Sequence, residues 1–258
     1  MPHSIACLSA IVTGGASGLG AVISRRLGSE GVNVCINGLP LDAKKGEALC
    51  KEISEAYRVK CTFFAADISD PEACRTVVGH AVKTFGGLDI IIPNAGWTRH
   101  APWSDLDAFS EADWLKSSRI NTLSLMWLFK AATPILRKTF EETGRAGCII
   151  TTNSIAGTGP TGSSLPYSVT KAAQLRMMEG LARDNGPWAR VNAVCPGLII
   201  TPFSAAYGEE RMNALRAQSA LKKEASLANC AEVFAMLCKN DSITGKHNSV
   251  DCGLSTAS

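Results

Sequence analysis

Tyr167 and Lys171 stand four residues apart in Tyr167-Ser168-Val169-Thr170-Lys171. In a helix that spacing sets both side chains on one face, where an ammonium can act on a phenol. A free phenol has a pKa of about 10, and each unit of displacement is about 1.36 kcal/mol. Bringing it near 7 takes about 4 kcal/mol, which one ammonium ~4–5 Å away supplies at an effective dielectric of ~20. The pair is a candidate acid/base in which Lys171 tunes Tyr167. Alone, Tyr-x-x-x-Lys is common by chance and usually reads as a solvated helix face, so the rest of the chain must supply the context.

A second candidate lies near the start, in Thr13-Gly14-Gly15-Ala16-Ser17-Gly18-Leu19-Gly20. It follows an apolar run and opens a helical pattern. Glycines there permit positive φ and a close backbone approach to a pyrophosphate, whose charge free N–H groups and the helix dipole would meet. Without a βαβ context it would be only a glycine-rich turn.

The elements around these residues supply that context. Strands are expected near Leu8–Thr13, Val32–Ile36, Cys61–Phe64, Leu88–Pro93, Cys148–Thr152, Arg190–Val194 and His247–Val250. Helices are expected near Gly18–Ser29, Asp42–Tyr57, Pro71–Phe85, Glu111–Phe140, Tyr167–Asp184 and Leu227–Lys239. Short apolar runs alternating with helical patterns predict an α/β fold, a doubly wound seven-stranded parallel sheet in a single domain spanning residues 1–258. The long connection Thr201–Leu221 reads as a substrate lid.

The chain has 258 residues, 46% of them apolar, and a formal charge of +3 without any basic arm. That argues against a nucleic-acid partner, and no apolar run approaches the ~18 residues of a membrane span. Ten cysteines occur singly, with no C-x-x-C pair. They read as reduced core thiols of a cytosolic, cytoplasmic protein, with no metal site.

With its spacing Gly14-x-x-x-Gly18-x-Gly20 the sequence resembles the short-chain dehydrogenase/reductase family, whose members carry T-G-x-x-x-G-x-G at this place. Further landmarks recur in order along essentially the whole chain: Asp67, Asn94-Ala95-Gly96, Asn121, Ser154, Tyr167-x-x-x-Lys171 and Pro196-Gly197. The resemblance implies a Rossmann fold and an NAD(P)-dependent oxidoreductase moving a hydride between nicotinamide and a ketone or secondary alcohol. Catalysis would rest on Asn121, Ser154, Tyr167 and Lys171. Ser154 would fix the substrate oxygen about 3 Å from the Tyr167 hydroxyl, and Lys171 would also bind the nicotinamide ribose. Asn121 would hold a water that relays protons from Lys171; its other reading is a buried Asn tying strand to helix.

For the cofactor, the resemblance assigns Gly14, Ser17, Gly18, Leu19 and Gly20 to the pyrophosphate turn, Asp67-Ile68 to the adenine and Asn94-Ala95-Gly96 to its ribose. Pro196, Gly197, Ile199 and Thr201 would surround the nicotinamide and reach the pyrophosphate. Pro93 and Cys252 depart from the commoner Asn and Gly. At the end of strand two, Asn37 and Gly38 carry no charge to repel a 2′-phosphate, and Asn37 could donate to one, so NADP(H) is favoured over NAD(H). Asp42 is read there as a helix cap.

Trp97, Trp103, Phe203 and Tyr207 are candidate substrate-binding residues for a bulky lipophilic or aromatic small molecule. Arg99 and His100 read as a solvated loop, or as the partners of a polar group. The Ile120–Phe140 helix is apolar on nearly every side, so the expected partner is a second copy, in a homodimer or homotetramer. Two alternatives stand beside an oxidoreductase: a non-redox isomerisation or cyclisation in the same pocket, and a nucleotide-sensing subunit.

Overall fold

The computed structural model of the protein describes residues 3–256. Its seven strands are β1 (Ser9–Thr13), β2 (Asn33–Gly38), β3 (Cys61–Ala65), β4 (Ile90–Ile92), β5 (Gly147–Thr152), β6 (Ala189–Pro196) and β7 (His247–Val250). They form one sheet in the order β3-β2-β1-β4-β5-β6-β7, parallel throughout. Chain order reverses between β1 and β4, and ligands of such sheets bind at that crevice, beyond the carboxyl ends of the strands.

The helices are α1 (Gly18–Ser29), α2 (Ala43–Tyr57), α3 (Pro71–Phe85), α4 (Glu111–Ser118), α5 (Ser124–Thr143), α6 (Leu165–Asn185), α7 (Glu209–Gln218) and α8 (Leu227–Lys239). Successive strand residues point to opposite faces, and both faces are covered. On one side Ala10, Val12, Val34, Ile36, Ile90 and Ile92 pack with residues of α1, α2 and α8. On the other, Ile11, Cys35, Ile91, Ile149 and Val191 pack with α3, α5 and α6. Two covered faces explain why the central strands read as unbroken apolar runs.

Local signals fix several helix ends. Asp70 caps α3, accepting from the Glu72 and Ala73 N–H groups at 3.3 Å each, with Pro71 in the first turn. Asp42 does not cap α2 as expected. A 3-10 turn, Pro40–Asp42, precedes that helix, and Asp42 Oδ2 reaches back to accept from the Leu39 N–H at 3.0 Å. The single helix expected from Glu111 to Phe140 is interrupted by a π-turn, Arg119–Leu123. The cysteines are unpaired, with seven buried, Cys61 and Cys252 half-buried and Cys7 exposed. No helix among the described residues is long and apolar enough to cross a membrane.

Candidate active site

A cavity of about 470 Å³ opens at the β1/β4 crevice and runs from the end of β2 to the lid. At its centre the glycine turn is strained into shape: Gly14 has φ +59° and Gly18 φ +52°, angles that favour glycine. A side chain at Gly20 would strike Asn94 Nδ2 at 2.6 Å and the Gly14 carbonyl. Asn94 holds this corner, donating to the Thr13 carbonyl at 3.0 Å and accepting from Thr152 Oγ1 at 3.0 Å. The Thr13 hydroxyl accepts from the Asn94 and Ala95 N–H groups at 3.0 and 3.1 Å. The N-terminus of α1 therefore faces an open groove whose floor cannot accept a larger residue, which is the shape a pyrophosphate needs. Thr201 stands opposite, its Cγ2 3.4 Å from where a Gly18 side chain would begin.

Ser17, Leu19, Gly96, Pro196, Gly197 and Ile199 also line the cavity, as do Asp67 and Ile68 beyond β3. These residues fit a dinucleotide along their whole length.

One expected contact fails at the adenosine end. Asn37 is 1% exposed, and its Nδ2 donates to the Phe64 and Ala66 carbonyls at 3.2 and 3.0 Å. Its donors tie β2 to β3 and are not free for a 2′-phosphate. The absence of charge at this end does not hold either, because Asp42 comes back through the 3-10 turn. Its Oδ2 lies 3.3 Å from where a side chain at Gly38 would begin, and it lines the cavity. A carboxylate thus occupies the place that the strand sequence leaves empty.

At the far end of β5, Ser154 is the N-terminal cap of a short 3-10 turn, accepting from the Ala156 N–H at 3.1 Å. Ser164 caps α6, which places Tyr167 in the first turn and Lys171 one turn on, its Nζ 5.7 Å from the Tyr167 ring centre. Ser154, Tyr167 and Lys171 line one cavity wall together. The electrostatics differ from the simple expectation. Burial pushes the Tyr167 phenol above its ordinary value, nearby Tyr207 adds to this, and the Ser154 hydroxyl opposes it. Burial also pulls Lys171 down to about 8. Its Nζ donates to the Thr152 carbonyl at 2.7 Å and to Gln174 Oε1 at 3.4 Å. A buried ammonium turned toward a carbonyl does not lower the phenol, so desolvation prevails over the expected Coulomb attraction.

Asn121 lies within the π-turn and is fully buried. Its Oδ1 accepts from the Trp97 N–H at 2.8 Å, while Nδ2 donates to the Trp97 carbonyl, Ser117 Oγ and Thr170 Oγ1 at 2.9, 3.0 and 3.1 Å. The side chain is spent on the strand-to-helix tie and does not line the cavity, which leaves only its backbone for any bound water. π-Turns recur at functional sites.

On the substrate side Trp97, Phe203 and Tyr207 line the cavity; Trp103 does not, contrary to expectation. Arg99 is paired with Asp113 at 2.9 Å, so it offers no free charge to a ligand. His100 packs edge-on against Tyr207 with ring centres 4.4 Å apart.

The sequence reading missed several residues. Asn153 Nδ2 donates to the Lys171 carbonyl and to Gln174 Oε1 at 2.9 and 2.8 Å. Gln174, one turn beyond Lys171, could have been found by helical spacing. Lys116 and Leu254 also line the cavity, and only the fold brings them there; Arg211 and Leu215, which line it too, fall within the expected lid segment.

Comparisons with known proteins agree with this geometry. A family model described as enoyl-(acyl carrier protein) reductase matches residues 14–255. A putative ketoacyl reductase of granaticin polyketide synthesis from Streptomyces violaceoruber is 35% identical over 195 residues, 76% of this chain and 74% of that protein. The crystal structure of a short-chain dehydrogenase from Burkholderia cenocepacia J2315 in complex with NADP superposes with a TM-score of 0.87 at 29% identity, covering 98% of this chain and 99% of that one. A blue fluorescent protein from a metagenomic library, solved with NADPH, gives a TM-score of 0.87 at 28% identity over 98% and 99% of the two chains.

Proposed function

Since the chain belongs to the short-chain dehydrogenase/reductase family, and so is an NAD(P)-dependent oxidoreductase acting on CH–OH and C=O groups, we propose that it reduces ketones of lipophilic or aromatic character, or oxidises the matching secondary alcohols. One observation carries this reading: Ser154, Tyr167 and Lys171 open on the same cavity as the glycine turn of α1. The aromatic wall of Trp97, Phe203 and Tyr207 supports the substrate class.

When bound, the nicotinamide supplies or accepts the hydride at the carbonyl carbon. Gly14, Ser17, Gly18, Leu19 and Gly20 would hold its pyrophosphate, Asp67, Ile68, Asn94, Ala95 and Gly96 its adenosine half, and Pro196, Gly197, Ile199 and Thr201 the other end. The chain does the rest. Ser154 orients the carbonyl oxygen, and Tyr167 gives it a proton. A phenol held above its ordinary pKa is fully protonated at neutral pH, as a proton donor must be. Lys171, fixed by Thr152 and Gln174, sits where it meets the ribose hydroxyls. Asn121 positions Trp97, and any water it orders is held by its backbone.

The proposed cofactor is NADP(H), supported by the solved relatives that hold NADP and NADPH. A specific observation favours NAD(H) as the second reading: Asp42 fills the space beside Gly38, and no Lys or Arg lines that end of the cavity. The working unit is one domain with its lid near residues 201–221, assembled as a homodimer or homotetramer in the cytoplasm. Exposed apolar side chains at Leu123 and Met126 around the start of α5, and at Val169 on α6, support that assembly.

Absorbance at the reduced-nicotinamide band, followed with cyclic and aromatic ketones and each cofactor, tests the reading. Turnover of at least one ketone class is expected. Cofactor binding without turnover of any ketone or alcohol would leave the sensing role instead.

A further inference from the structure

The lid carries a cation that no carboxylate answers. Arg211, on α7, lines the cavity at its mouth. Its guanidinium stacks on the Tyr207 ring, 4.7 Å from the ring centre, and donates one hydrogen bond to the Gly162 carbonyl at 3.0 Å. A guanidinium has five N–H donors, so most of its hydrogen-bonding edge remains available in an orientation already fixed by two contacts. Of the nearby acids, Glu209 and Glu224 are held by Arg216 at 2.9 and 2.8 Å, and Glu210, its neighbour in the chain, forms no ion pair with it. Among the described residues, no carboxylate lies within ion-pair distance of Arg211.

Charge along the cavity is therefore divided. Among the described residues its lining acids are Asp42 and Asp67, at the adenosine end beyond β2 and β3. The substrate end has apolar walls and, besides Lys171, two cations, Arg211 on the lid and Lys116, whose Nζ lies 4.8 Å from the Trp97 ring centre; Arg211 is the one whose guanidinium is fixed by two contacts. Gly162 joins that arginine to the chemistry, because its carbonyl takes the guanidinium's hydrogen bond at 3.0 Å while a Cβ at Gly162 would lie 3.6 Å from Tyr167 Cδ1. An anion on Arg211 would thus share one cavity with a carbonyl held by Tyr167.

We propose that Arg211 is the anion receptor of the substrate site, and that the preferred substrates are lipophilic or aromatic ketones bearing a carboxylate a few bonds from the carbonyl. The inference rests on the oxidoreductase reading and narrows it to keto acids and their hydroxy-acid products. Bidentate pairing with a planar carboxylate suits a guanidinium held in one orientation. In the reduction the carbonyl carbon takes the hydride, its C=O π bond opens, the oxygen takes the Tyr167 proton and the nicotinamide is oxidised; the carboxylate is unchanged.

The test compares 4-oxo-4-phenylbutanoate with its methyl ester, two ketones with the same carbonyl and ring in which a methyl group masks the charge of one. For the unaltered protein kcat/KM should favour the acid about tenfold at low salt, mainly through KM, and the preference should shrink as ionic strength rises. In Arg211→Gln the acid-to-ester ratio should fall to about one, and Arg211→Lys should restore part of it. Reduction of both ketones with the same ratio in the unaltered protein and Arg211→Gln would overturn the receptor while leaving the oxidoreductase reading intact. Failure of the unaltered protein to reduce either ketone, or any other in the wider panel, would remove both.

Discussion

Lys171 gives its shortest hydrogen bond to the main-chain carbonyl of Thr152, 2.7 Å away. The same Thr152 donates through its hydroxyl to Asn94 at 3.0 Å. One residue at the end of β5 therefore anchors both Lys171 and the corner behind the glycine turn. Burial at that anchor makes the ammonium unfavourable and brings its pKa down to about 8.

This has a sign that can be measured. Between about pH 8 and the ordinary lysine value of 10.5, the unfolded chain binds the proton that the folded chain has released, so stability rises with pH. Tyr167, whose folded value is raised, acts in the opposite direction once the pH exceeds the ordinary phenol value of about 10. The gain should be clearest between pH 8 and 10. Urea midpoints at pH 7 and 9.5 should show the unaltered protein gaining roughly 1–3 kcal/mol relative to Lys171→Met. A parallel pH dependence in the two proteins would refute it.

Asn121 should matter to folding as much as to turnover. Its amide satisfies four groups: both Trp97 main-chain atoms and the hydroxyls of Ser117 and Thr170. Replacing it with Ala leaves the buried Trp97 N–H and carbonyl without this partner, while Thr170 keeps the Tyr167 carbonyl and Ser117 keeps Thr170, at a cost of about 2–4 kcal/mol. Denaturant unfolding of Asn121→Ala reads this directly, and a loss below 0.5 kcal/mol would show that the tie is dispensable.

For cofactor choice, Asp42→Asn removes the carboxylate beside Gly38 while keeping its shape. Affinity for NADPH should rise about 5–10-fold relative to NADH, roughly 1–1.4 kcal/mol. Fluorescence titration with both reduced cofactors checks it, and an unchanged ratio would mean that Asp42 does not face the ribose.

Assembly is tested by a charge on the exposed face. Light scattering of the unaltered protein should report a dimer or tetramer at micromolar concentration, and Met126→Lys should weaken it. A stable monomer before any substitution would contradict the expectation outright.

Much of this was legible from the sequence because it depends on local rules. The glycine turn and the pairing of Tyr167 with Lys171 are set by residues near one another in the chain, and α1, α3, α8 and β7 fall where periodicity placed them. What was not legible depends on distant partners. Asn37 looked free because the carbonyls that take its amide belong to β3 and the loop behind it. Asp42 looked like a cap because nothing in the sequence shows the 3-10 turn folding it back over Gly38. The π-turn at Asn121 follows from pairing with Trp97 and Thr170, which helical periodicity cannot register. The raised Tyr167 phenol reflects burial beneath the lid, a quantity that the i to i+4 spacing leaves out.

The central claim is that the Tyr167 hydroxyl gives the proton. Tyr167→Phe keeps the ring and its packing but removes that hydrogen, and single-turnover reduction of a ketone accepted by the unaltered protein, with cofactor affinity measured in parallel, isolates the step. The expected loss is at least about 1,000-fold in the reduction rate, with nicotinamide affinity within about twofold. A reduction rate within tenfold of the unaltered protein would contradict it.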